Sequence, residues 1–160
     1  MKPRIALSCL LMLAGTQVFG ADGTDAEASA VDAWKSEPSM IFEAKDIDLA
    51  EFKWIARPVI VFADAPLDPA FREQMDLLQS RIDELVARDV ILIVDTEPDR
   101  DSRSDLRREM RPRGFMLTLV GKDGGVKLRK PFPWNVRELS RQIDKMPIRQ
   151  QEIRDSLTGE

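Results

Sequence analysis

Two kinds of apolar pattern alternate along this chain. Residues 57–63 (RPVIVFA) and 90–95 (VILIVD) are nearly unbroken apolar runs of strand length, as expected for strands buried on both faces. Between them Phe71, Met75, Leu78, Ile82 and Leu85 recur at spacings of four, three, four and three. That rhythm predicts one apolar helix face ending near Asp89. Asp68 is placed to cap this helix, with Pro69 at its first position. A strand, a helix and a second strand make a parallel unit with a right-handed crossover. Further on, Ser102 or Ser104 can cap a short helix through Leu106 and Met110 that Pro112 stops. Residues 115–121 (FMLTLVG) predict a third strand, and the Asp-Gly in KDGG predicts a hairpin turn. In the fourth strand, VKLRK, Val126 and Leu128 face one way, and Lys127 and Arg129 the other. Asn135 and Glu138 have the spacing of a capping box, and Val136, Leu139, Ile143 and Met146 form a stripe that Pro147 ends.

The predicted order is therefore β-α-β-α-β-β-α. It describes an α/β domain with a four-stranded mixed sheet, strand order 2-1-3-4, flanked by helices. The domain is expected over 41–154, where residues 41–54 add a short strand or helical turn, and 155–160 form a polar tail. Residues 21–40 are small and polar and are expected to act as a flexible tether. Residues 1–20 join a basic start, MKPR, to an apolar run too short to span a bilayer comfortably. They are expected to be an export signal, cleaved ahead of Ala21. A periplasmic or secreted location follows, with no membrane contact after the signal is removed.

Composition narrows the chemistry. The chain has no His and no Tyr, and its one cysteine, Cys9, falls within the expected signal. A mature chain without Cys has no thiolate nucleophile, disulfide or zinc–thiolate site. Without His, the Ser–His–Asp and Cys–His triads are excluded, as are most transition-metal sites. No catalytic residue, metal site or cofactor is assigned. Losing Lys2 and Arg4 with the signal leaves 22 basic residues against 28 acidic ones, a net charge of −6. That balance argues against general nucleic-acid binding.

The predicted element order resembles the thioredoxin-like fold. RGFMLTLVGKDGGV (113–126) is similar to the thioredoxin segment that carries a cis-proline before one strand and a Gly-containing hairpin after it. On that register Met116 takes the proline position, Ile60 the place of a buried acid, and Pro66 and Pro69 the places of the redox cysteines. A closer resemblance is to the bacterial domain of unknown function 4174. It is carried by FKWIARPVIVFA (52–63), VGKDGGVKLR (120–129) and IDKMPIRQQEIR (143–154). This resemblance implies a thioredoxin-like fold outside the cytoplasm, with related domains in some animal extracellular-matrix and adhesion proteins, and implies no settled activity.

Candidate binding residues follow from position. Asp64, Asp68 and Arg72 surround the start of the first long helix, whose free N–H groups favour an anion. The ordinary account is that Asp68 caps those groups and Arg72 pairs with Asp76. Lys127 and Arg129 share one strand face and can meet a partner's carboxylates or simply protect an edge. Arg149 can lock the C-terminal segment to the sheet or face a partner. Residues 100–113 hold six arginines among three acids, either an anion-binding patch or a solvated helix face. Asp64 and Asp95 follow the two parallel strands and are expected at one sheet edge. The expected function is a non-redox binding module for a protein or peptide. The alternative is a non-thiol enzyme or a binding protein for a small anion.

Overall fold

The computed structural model describes residues 29–159, so the expected signal and residues 21–28 of the expected tether lie outside the described residues. In chain order the elements are α1 (Ala30–Ser36), β1 (Ile41–Glu43), β2 (Arg57–Phe62), α2 (Pro69–Gln79), α3 (Ile82–Val86) and β3 (Val90–Asp95). They continue with α4 (Asp105–Met110), β4 (Met116–Val120), β5 (Val126–Lys130), α5 (Val136–Asp144) and α6 (Pro147–Thr158). Two short 3-10 turns lie between β1 and β2.

The strands form one mixed sheet in the order β1-β3-β2-β4-β5. β2 pairs in parallel with β3, matching Ile60 to Ile93, and antiparallel with β4, matching Ile60 to Thr118. β5 completes the hairpin, Leu119 opposite Leu128. The expected four-stranded sheet is corrected to five. β1, from the segment read as a strand or a turn, adds in parallel to the outer edge of β3. A three-residue element is too short for periodicity to reveal.

Alternation along the buried strands sorts the core into two layers. Ile60, Phe62, Ile91 and Ile93 face α1 and α4, meeting Trp34, Phe52, Leu106 and Met110. Val59, Val61, Val90, Leu92, Leu117 and Leu119 face the other way, onto Leu78, Leu85, Val136, Leu139 and Ile143. Both faces are covered, which is why β2 and β3 read as continuous apolar runs.

Three more expectations change. The single helix from Pro69 to Asp89 is two. Ser80 Oγ donates to the Leu77 carbonyl and competes with the helical pattern, and the redirected chain buries both Leu78 and Leu85 completely. Residues 30–36 of the expected tether are a helix, capped by Ser29, whose Val31 and Trp34 are buried. Trp34 Nε1 donates to the Val90 carbonyl at 3.4 Å. The polar composition of residues 21–30 hid that pair of apolar residues. The tail is polar as expected and continues as the end of α6 to Thr158. Asn135 caps α5 by accepting from Arg137 N, while Glu138 turns to Arg141, so the capping box is not closed.

If α1 belongs to the core, Trp34→Ala should lower the unfolding free energy by about 3–5 kcal/mol. Urea denaturation measures this; an unchanged midpoint would return the segment to a loose tether.

Candidate functional site

One arginine closes the end of the sheet where β2 and β3 both finish. Asp95, the last residue of β3, is 3% exposed, and Arg107, on the inner face of α4, is 5% exposed. Arg107 Nε donates to Asp95 Oδ1 at 2.8 Å, and its Nη2 donates to the carbonyls of Asp95 and Ala63. Its Nη1 lies 3.4 Å from Asp64 Oδ1. The guanidinium also sits over the Phe62 ring, 5.6 Å from its centroid. Ser104 Oγ donates to Asp95 Oδ2 and accepts from Arg107 N, so one hydroxyl both caps α4 and holds the acid. The planar fork thus ties together the ends of two strands, a helix and a loop.

Asp64 and Asp95 do meet at one sheet edge, but Arg107 stands between them. That fills the space a shared divalent cation would need. Both Asp95 oxygens are engaged, Oδ1 also accepting from Glu97 N at 3.2 Å. Asp64 is 58% exposed and points toward solvent beside the same guanidinium. The pair is built for cohesion rather than proton transfer.

Outside this pin a cavity of about 650 Å³ opens, walled by Asp64, Arg103, Arg107, Arg108, Arg111 and Arg113. Arg108 pairs with Asp105 on the surface. Arg103, Arg111 and Arg113 have no carboxylate within ion-pair distance among the described residues. Arg111 ends α4 at φ +50°, a left-handed position where glycine is the usual choice. Holding an arginine there costs roughly 1–2 kcal/mol. Residues 100–113 therefore divide: Arg107 is buried and paired, whereas Arg111 and Arg113 face the cavity.

The other candidate residues separate. Asp68 Oδ1 accepts from Ala70 N at 2.8 Å and Phe71 N at 3.1 Å, so the start of α2 is filled by the chain's own carboxylate. This is the capping arrangement set out for these residues, in which Asp68 takes the N–H groups that an outside anion would have met. Pro69 is the first residue of α2 and Pro66 lies in the turn before it. Arg72 lies along α2 beside Glu73 and Asp76 without reaching either as an ion pair among the described residues. Lys127 pairs with Asp123 at 2.6 Å inside the hairpin. Lys127, with Gly125 N, holds the Asp123 carboxyl below its ordinary range. Arg129 reaches back to the Met110 carbonyl at 3.4 Å, toward the cavity side of α4.

Arg149 belongs to the opposite end of the sheet. There Arg57, fully buried, donates to the Arg88 carbonyl and to Glu152, each at 2.8 Å. Lys122 lies 2.8 Å from both Asp89 and Glu152, and Arg149 lies 3.2 Å from Glu152. Arg88 forms a two-pronged pair with Asp144. α6 has no buried residue, and the contacts of Arg57 and Lys122 with Glu152 and of Arg149 with the Ala87 carbonyl fasten it. Burial pushes the Glu152 carboxyl up, but hydrogen bonds from Lys122, Arg57 and Arg149 outweigh it and bring the pKa down to about 2.

The fold and this site define an α/β domain of thioredoxin-like topology whose strand-end surface carries a buried ion pair and a cationic cavity. The family described as Domain of unknown function (DUF4174) matches residues 48–152, and the chain belongs to that family. No curated protein matches the chain. Among solved structures, the mitochondrial 2-Cys peroxiredoxin from Plasmodium falciparum is similar at 19% identity and a TM-score of 0.44, over 74% of this chain and 90% of that one. Plasmodium yoelii thioredoxin peroxidase I is similar at 15% identity and a TM-score of 0.47, over 66% of this chain and 80% of that one.

Two stability outcomes follow. Arg107→Ala leaves Asp95 buried without its partner and should cost about 3–5 kcal/mol in chemical denaturation; a loss near zero would mean the pair is not formed. The Glu152 carboxyl titrates lower in the folded chain than its ordinary 4.5. Its contribution is therefore complete above that value and disappears as the pH falls toward about 2. Glu152→Gln should flatten that part of the acid-unfolding profile and lower neutral-pH stability by about 2 kcal/mol; an unaltered acid limb would refute the assignment.

Proposed function

We propose that this chain is an exported, non-redox thioredoxin-like domain that acts as a binding module for a protein or peptide partner in the periplasm or outside the cell. The observation that carries this reading is the open cavity of about 650 Å³ at the ends of β2 and β3. Ligands of open α/β sheets favour the carboxyl ends of strands. What surrounds the cavity offers contact: Leu67 in the neighbouring loop is 78% exposed, and the arginines in the wall present donors rather than a nucleophile. A net negative chain with a local cationic cavity favours a selective anionic contact over nucleic acid.

The second reading, a binding site for a small anion, is supported by the same guanidinium groups. An enzyme acting through Asp64 or Asp95 is disfavoured because Arg107 and Ser104 already occupy Asp95. Thiol–disulfide exchange has no sulfur to run on once a signal carrying Cys9 is removed.

Peptide-display selection against the mature chain should enrich binders whose addition shifts the backbone amide signals of residues 64–68 and 111–116. No enriched sequence, or shifts confined to another face, would end the module reading. Insulin reduction with dithiothreitol should show no turnover above background; measurable turnover would overturn the non-redox part.

A further inference from the structure

The cavity at the strand ends does not stop at Arg113. A second hollow, of about 230 Å³, shares Arg111 and Arg113 with it as a common wall. The second hollow is floored differently. Phe115, Met116 and Pro131 line it together with Arg129 and Lys130, whose ammonium turns to the Trp134 ring 4.5 Å from its centroid. The two hollows together make a groove that is polar and cationic at one end and more apolar at the other.

The charge inventory of this groove is one-sided. Asp64 is the one carboxylate lining either hollow among the described residues, and it already lies against Arg107. Arg103, Arg111, Arg113, Arg129 and Lys130 have no carboxylate within ion-pair distance among the described residues. Elsewhere Arg57, Arg81, Arg88, Lys122, Lys127, Arg141 and Arg149 each have a carboxylate partner, while Arg72 and Arg154 are among the exposed cations that also lack one among the described residues. The Lys130 ammonium is turned to the Trp134 ring and Arg129 to the Met110 carbonyl, which leaves Arg103, Arg111 and Arg113 converging on one cavity with a single carboxylate, a local concentration of positive charge that favours an external anion.

Backbone conformation singles out one of these residues. Arg111 occupies a left-handed position at the end of α4 where glycine would relieve strain. Its side chain forms part of the wall between the two hollows. Fold stability alone favours glycine there, so Arg111→Gly removes the guanidinium from the wall without a conformational cost.

Resting on the binding-module reading, we propose that the groove binds an acidic peptide segment. Its carboxylates meet Arg103, Arg111 and Arg113, and an apolar side chain three or four residues away lies on Phe115 and Met116. A small anion would use the first hollow alone. Only a chain carrying both acid and apolar groups fills the two. Guanidinium groups suit this role because their planar donors match carboxylates two bonds at a time.

The test uses the mature full chain and a fluorescein-labelled decapeptide of glutamates with leucine at every fourth position. A second peptide replaces each leucine by serine, and inorganic phosphate and citrate serve as competitors. Fluorescence anisotropy should show binding that weakens with added salt, with the serine peptide bound about tenfold more weakly. Arg113→Glu should weaken binding at least about tenfold. Arg111→Gly should do likewise while keeping or raising the melting temperature, a combination that misfolding cannot produce. Arg154→Glu, a charge reversal of equal size on α6, should leave binding unchanged.

Equal binding of the two peptides, or full displacement by millimolar phosphate, would reassign the site to a simple anion and overturn the peptide proposal. Insensitivity to Arg111→Gly and Arg113→Glu would overturn the groove assignment. Display-selected peptides that lack acids yet still shift residues 64–68 would refute this inference and leave the module reading intact.

Discussion

Asp95 sets the constraint on which the rest of the structure depends. It ends a strand buried on both faces, and a carboxylate there needs donors the sheet cannot supply. Arg107 supplies them from α4, together with the hydroxyl of Ser104. The same guanidinium takes up the Ala63 and Asp95 carbonyls, so the ends of β2 and β3 are tied at one point. α4 is consequently held with its apolar residues, Leu106 and Met110, on the sheet and its last turn at the rim. That placement brings Arg111 and Arg113 to the cavity wall. One charge is spent inside the fold, and its neighbours along the chain are left free to meet something outside it.

The two ends of the sheet divide the tasks. At the far end Arg57, Arg88, Lys122 and Arg149 meet Asp89, Asp144 and Glu152, and the contacts made to Glu152 hold a helix that contributes no buried residue. Lys122, Asp144, Arg149 and Glu152 fall within the two C-terminal segments that carry the family resemblance. Those segments therefore mark how the fold is closed. The strand-end surface, where Arg103, Arg111 and Arg113 lack carboxylate partners among the described residues, is the surface proposed for binding.

Sequence periodicity exposed the parts of the fold that repeat. VIVF and VILIV are long enough, and buried on both faces, so β2 and β3 were legible. Asp68–Pro69 marked the start of α2 through an actual carboxylate cap. The hairpin around Asp123–Gly124 was legible because its φ of +81° at Gly124 requires that chemistry. β1 was legible only as one of two options, a short strand or a helical turn, and the break at Ser80 was not legible, because three residues or one side-chain hydrogen bond leave no period. The site was half legible. Asp64 and Asp95 could be placed at one edge from strand direction alone. Arg107 could not be told from Arg108, since both sit in the same run and only three-dimensional packing turns one inward and the other to solvent. An acid closing an apolar strand was the available signal that some nearby arginine had to be its partner.

The most direct measurement is a double-mutant cycle on that pair. Asp95→Asn, Arg107→Met and the combined variant are compared with the parent chain by urea denaturation. A contact buried at 2.8 Å predicts that the combined variant loses less than the two singles together, with a coupling of about 2–3 kcal/mol. Strictly additive losses would mean that the two side chains do not share one interaction, and the account of how this end of the sheet is built would be contradicted.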